Sequence, residues 1–180
     1  TWHVKRIKPA VFADYELGGE NYTRLLWIFE GFTSYYDDLA LPRSGVLDEA
    51  GYLKELAKTI SSVMRGPGRF EQSVAESSFD AWIKYYRQDE NAPNAIVSYY
   101  AKGALVALSL DLTIRARSRG RHSLDDVMRL AWRRYGRDFY ARPPGSRQGL
   151  PEDGFPELLA EATGLRLDAD PQTSRRDGRQ

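Results

Sequence analysis

Glu30 is the one carboxylate in LLWIFEGF, residues 25–32, a stretch that is otherwise apolar. A charged carboxylate in such company is costly unless something neutralises it. On a helix, residues three and four apart share a face, which groups Glu30 with Leu26, Trp27, Thr33 and Ser34, and with Asp37 a turn further on. One carboxylate followed by short polar groups is the pattern of a metal ligand and the hydrogen-bonding residues that orient its surroundings. Glu30 is then the candidate ligand, and Thr33, Ser34 and Asp37 are the candidate orienting groups. The competing reading puts Glu30 at the rim of a core, paired with one of the 26 Lys and Arg side chains.

The elements that must position these residues read as helices. Residues 1–20 are irregular, broken by Pro9 and Gly18-Gly19. Tyr22, Leu25, Leu26, Phe29, Phe32, Tyr36 and Leu39 recur at helical spacing and predict a helix over 20–39. A second helix is expected over 48–64, with Leu53, Leu56, Ala57, Ile60 and Met64 as its apolar stripe, stopped by Gly66-Pro67-Gly68. Residues 73–90 predict one or two short helices packed through Phe79, Trp82, Tyr85 and Tyr86, and 91–95 a loop. The most apolar helix spans 96–118 and is the expected centre of the core. Ser123 and Asp126 resemble a capping box opening a helix to about Tyr135. Residues 136–151 carry three prolines and three glycines and predict a long loop, functional or mobile. A last helix is expected over 154–163, ended by Gly164. Residues 1–165 thus form one helical domain of the all-α bundle class, and the polar tail 166–180 is expected to be disordered.

Composition narrows the function classes. The chain has 180 residues, 42% hydrophobic and 28% charged, as expected of one globular domain. With 26 basic and 25 acidic residues the net charge gives no reason to expect nucleic acid or membrane as partner. The arginines of RARSRGRH, 115–122, sit at a helix end, where the dipole favours cations. No cysteine is present, which removes disulfides and cysteine-based zinc sites or nucleophiles. The compartment stays open, with the cytoplasm slightly favoured. No apolar run approaches the roughly 20 residues of a bilayer span. Because the sequence starts at Thr1 rather than Met, an upstream segment is expected.

Three ordered blocks, TWHVKRIKP, ENYTRLLWIFEGFTSYYDDL and SYYAKGALVALSLDL, resemble the glycyl aminopeptidase family of zinc metallopeptidases, gluzincins. The resemblance covers about residues 1–135, more weakly to 165, and three blocks in order are more specific than any one motif. It implies a thermolysin-like helical subdomain in which two histidines of H-E-x-x-H and a later glutamate hold zinc. The family's W-x-x-E-G-F-T-x-Y-Y falls on Trp27, Glu30, Gly31, Phe32, Thr33, Tyr35 and Tyr36, so Glu30 is the implied third zinc ligand. The Y-x-K-G segment puts the tyrosine that donates to the tetrahedral oxyanion on Tyr100, or on Tyr99 if the register differs by one. Gly103 is then a close-packing position and Lys102 a surface charge. The implied substrate is a peptide with a small N-terminal residue, glycine or alanine. Asp37, Asp38 and Glu71 are carboxylates available for its ammonium group.

The sequence departs from the family in having no H-E-x-x-H. Its histidines are His3, where the family commonly has asparagine, and His122, in a basic turn expected to face solvent. The resemblance therefore implies a fragment: the third ligand and the oxyanion tyrosine, inactive without the rest of its own polypeptide. The alternative is a non-catalytic helical module that binds proteins through the 136–151 loop and exposed aromatics such as Tyr35, Tyr36, Tyr85 and Tyr86. Oligomeric state is not legible.

Overall fold

The computed structural model describes residues 2–166, and the tail expected to be disordered lies outside them but for Arg166. Helix α1 is Leu26–Arg43, α2 Glu49–Arg65, α3 Gly68–Glu71 and α4 Val74–Phe79. A π-turn, Ala81–Tyr85, leads to the short α5, Ala92–Ala95, and then to α6, Ala101–Ser118. Helix α7, Leu124–Ala131, runs into a second π-turn, Trp132–Gly136, and α8 is Phe155–Thr163. Among the described residues there is no strand, only the isolated bridges His3–Ile7 and Pro9–Leu150. The class is all-α. Among the same residues no helix is long and apolar enough to cross a membrane.

Helix α1 starts six residues later than its spacing predicts, for a reason far away in sequence. Glu152 accepts from Thr23 Oγ1 (2.5 Å) and from the Arg24 amide (2.9 Å), holding the approach outside the helix. Thr23 Oγ1 in turn accepts from the Leu25 amide at 3.2 Å. The helix then runs past Leu39 to Arg43, with Pro42 in its last turn. The Ser123–Asp126 cap forms as the sequence suggests, and the structure adds two others. Asp48 accepts from the Gly51 amide (2.8 Å), Ser73 and Glu76 form a reciprocal capping box, and the Ser123 amide donates to Asp126 (3.0 Å). Gly164 closes α8 with φ of +69°, a left-handed value that favours glycine.

The core lies between α1, α6, α7 and α8, where Phe29, Phe32, Ile114, Leu124, Val127 and Leu158 are almost fully buried. Helix α6 begins five residues later than expected, because 96–100 is extended or turning and 92–95 forms a turn of helix. At the crossing of α1 and α6, Gly31 meets Gly103. A Cβ on Gly31 would lie 2.6 Å from Gly103 Cα, and one on Gly103 would lie 2.7 Å from the Trp27 carbonyl. No side chain fits there.

The structure adds one finding and then corrects two expectations. The stripe of α2 is not core: Leu53, Ile60 and Met64 are 52%, 41% and 56% exposed. Amphipathic spacing shows that a helix has two faces, and burial of the apolar one needs a neighbour. Phe79, Trp82 and Tyr86 form a partly open rim rather than a packing face. The 136–151 segment is tied down: Leu150 donates to the Lys8 carbonyl (2.7 Å), Ala10 donates to the Leu150 carbonyl (2.8 Å), and Gly145 donates to Asp14 (3.1 Å).

Candidate active site

Glu30 and Tyr100 line one cleft of about 300 Å³, together with Tyr86, Tyr15, Phe12 and Trp82. The crossing of α1 and α6 brings them there. Glu30 directly precedes Gly31, and Tyr100 stands immediately before the first residue of α6, one turn from Gly103. Within the described residues the Glu30 carboxylate has no hydrogen bond or ion pair. Burial pushes its pKa above the usual carboxylate range. The Lys or Arg partner expected of a core-rim glutamate is not found among those residues. The cleft also takes in Val4, whose φ of +64° is a left-handed backbone that a β-branched residue adopts at a cost of about 1–3 kcal/mol.

Three tyrosine hydroxyls meet at the cleft wall. Tyr86 Oη lies 3.2 Å from Tyr100 Oη and 3.0 Å from Tyr99 Oη, and the Tyr99 and Tyr100 rings stack at 4.6 Å. Tyr99 is 1% exposed, whereas Tyr100 is half-buried and more open to an incoming ligand. The pKa of Tyr100 is raised, first by burial, then by the Tyr86 hydroxyl, with the charge of Glu30 adding to it. Glu30 and Tyr100 therefore sense one another electrostatically, and Tyr100 keeps its proton at neutral pH. Tyr86 reads in sequence as a packing aromatic. Its bridging hydroxyl had no signal there, because the contact spans the α5 turn.

The orienting groups expected on α1 go elsewhere. Thr33 Oγ1 donates to the Phe29 carbonyl (2.6 Å) and Ser34 Oγ to the Glu30 carbonyl (3.0 Å), both within their own helix. Thr33 and Asp37 line a different cleft of about 560 Å³, which also takes in Trp2, His3 and Tyr36. Asp38 and Glu71 line neither cleft. His3 is buried, with Nδ1 3.0 Å from the Phe29 carbonyl, and burial lowers its pKa to about 4 against the pull of that carbonyl. The ring is neutral at pH 7, so Nδ1 is the donor. His122 is half-exposed, 3.6 Å from Asp126. Tyr35, grouped with the exposed aromatics above, is buried and donates to Asp111 (2.8 Å). Lys102 is not a surface charge: it is half-buried, and its Nζ donates to the carbonyls of Arg69 (2.9 Å) and Gln72 (3.3 Å), closing α3.

Among the described residues no three His, Asp or Glu side chains converge on a point that could hold a metal ion. Glu30 fits such an ion as a single ligand: a half-buried carboxylate, free of partners within those residues, facing a cleft. The scaffold is all-α and presents a glutamate and a tyrosine hydroxyl to one cleft. The M61 glycyl aminopeptidase family matches residues 1–106, and the chain belongs to that family. It is also similar to the crystal structure of an aminopeptidase N family protein from Idiomarina loihiensis, at 45% identity and a TM-score of 0.82. That likeness covers 98% of this chain and 28% of the Idiomarina chain, so the present chain spans about a quarter of its relative's length. No curated protein matches it.

Proposed function

We propose that this chain is the helical part of a zinc-dependent aminopeptidase that releases small N-terminal residues, glycine or alanine, from peptides. The observation that carries the reading is the Glu30 carboxylate, unpaired within the described residues, in the same cleft as the Tyr100 hydroxyl. Glu30 supplies one of three protein ligands, and the other two are the histidines of an H-E-x-x-H segment outside residues 1–180. When bound, zinc supplies Lewis acidity and lowers the pKa of a coordinated water.

The rest of the chemistry falls to the chain's own groups. Tyr100 donates to the substrate carbonyl oxygen as it gains negative charge, and its raised pKa keeps the donor protonated. Tyr86 holds the Tyr100 hydroxyl from one side and limits its rotation. The Gly31–Gly103 contact sets the spacing of the two helices that carry the glutamate and the tyrosine. Without the upstream histidines the chain alone binds zinc poorly and is inactive.

The test extends the chain upstream through H-E-x-x-H and measures zinc content and hydrolysis of glycyl and alanyl anilides. Glu30→Ala is expected to lose stoichiometric zinc. Tyr100→Phe is expected to keep zinc and fold while kcat falls by about 10²–10³. A Glu30→Ala protein that retains zinc, or a Tyr100→Phe protein at full rate, overturns the corresponding assignment.

A further inference from the structure

Three cations, Arg6, Lys8 and Arg147, gather around the Phe139 and Tyr140 rings beside Tyr15. Arg6 and Lys8 come from the N-terminal segment and Arg147 from the pinned loop, and all three are half-buried. The Arg6 and Arg147 guanidinium carbons lie 5.2 and 5.4 Å from the centre of the Tyr140 ring, and Lys8 Nζ lies 5.9 Å from it. Lys8 and Arg147 also face the Phe139 ring, at 5.0 and 5.4 Å. Arg142 is joined to the group by its carbonyl, which accepts from Arg147 Nε at 3.3 Å, and it donates to Gln148 at 3.0 Å.

Among the described residues none of the three forms an ion pair. The acidic residues of the adjoining segments are engaged elsewhere: Asp14 accepts from the Gly145 amide at 3.1 Å, and Asp138 pairs with Arg137 at 3.1 Å. Cations held together on two rings repel one another. Each aromatic contact offsets only about 0.5–1 kcal/mol of that cost at a partly exposed site. An anion between the cations would offset that repulsion, and guanidinium groups suit planar carboxylates.

We infer that this cluster binds a carboxylate of a peptide whose other end occupies the Glu30 cleft. Tyr15 joins the two places: it lines the cleft, and its ring centre lies 5.9 Å from Lys8 Nζ. The carboxylate site stands on the cluster itself; that its ligand is a peptide rests on the proposed function. A peptide offers the group from its C-terminus or from an acidic side chain.

The 180-residue chain is titrated, without metal, with triglycine, triglycine amide, Gly-Gly-Asp amide and inorganic phosphate. The readout is the NMR shift of the Arg6 and Arg147 side-chain N–H groups and the Tyr140 ring. Triglycine is expected to bind at least about tenfold more tightly than its amide, a difference of about 1.4 kcal/mol. Gly-Gly-Asp amide regaining that affinity assigns the site to acidic side chains; its failure to do so assigns the site to the C-terminus. The double variant Arg6→Gln, Arg147→Gln is expected to abolish the preference at unchanged circular dichroism. Equal binding of triglycine and its amide overturns the inference, and so does phosphate binding more tightly than triglycine. Should the double variant fail to fold, the comparison of acid with amide in the unaltered chain still decides. The acid-to-amide preference is read on the unaltered, metal-free chain, so loss of the peptidase reading in the zinc and rate tests and loss of this site are separable results.

Discussion

At the scale of single residues, Glu30 is a carboxylate that works against its own fold. Burial makes the folded chain hold the Glu30 proton more tightly than the unfolded chain does. Its charge therefore opposes folding, and stability falls as pH rises from the unfolded pKa through the higher folded one. Glu30→Gln in the metal-free chain is expected to raise the urea midpoint at about pH 7 and to leave it nearly unchanged near pH 3. A lower midpoint at neutral pH would mean that the carboxylate has a stabilising partner. The cost is legible in the sequence, since a glutamate inside LLWIFEGF needs a reason. His3 was not legible. Nothing in TWHVKRIKP shows that its ring turns inward to the Phe29 carbonyl, on the turn just before Glu30.

At the scale of elements, Asp111 joins three helices. Lying 4% exposed on α6, it accepts from Tyr35 of α1 (2.8 Å), from the Leu124 amide at the start of α7 (2.7 Å) and from Arg115 (2.9 Å). Burial pushes its pKa up, but these donors outweigh it and the net shift is downward. Asp111→Ala is expected to cost about 3 kcal/mol, because the Tyr35 hydroxyl and the Leu124 amide lose their acceptor in a buried place. Chemical denaturation checks this, and an unchanged midpoint would show that water replaces the carboxylate. The start of α7 was readable, because Ser123 and Asp126 are three residues apart. The start of α1 was not, because Glu152 approaches Thr23 from 129 positions away. Gly31→Ala belongs to this scale too. Overpacking against Gly103 is expected to cost about 1–3 kcal/mol, offset by the roughly 1 kcal/mol that alanine gains over glycine inside a helix. A thermal midpoint above that of the unaltered chain would refute the backbone contact.

At the scale of the whole molecule, stability resides in α1, α6, α7 and α8, while α2 lies against them with its apolar stripe open. Leu53→Gln and Met64→Gln are each expected to cost no more than about 1 kcal/mol, because more than half of each residue stays in water. A loss of 2 kcal/mol or more in a denaturant melt would place the stripe in the core after all. Hydrophobic spacing reveals which face of a helix is apolar, and here it identified the stripe correctly. It carries no information on whether a neighbour covers that face. The same limit explains the 136–151 segment, whose prolines and glycines read as a free loop although its anchors, Lys8 and Asp14, lie at the other end of the chain.

The meeting of Gly31 and Gly103 also restricts how sequences of this fold can drift. Most helix crossings tolerate change because a larger residue on one side is offset by a smaller one on the other. Here neither side has anything left to shrink, so no compensating partner exists for a substitution at either position. Any accommodation has to separate the two backbones, and that movement carries Glu30 away from Tyr100. A lineage could keep the fold through such a change, but the carboxylate and the hydroxyl would no longer share one cleft.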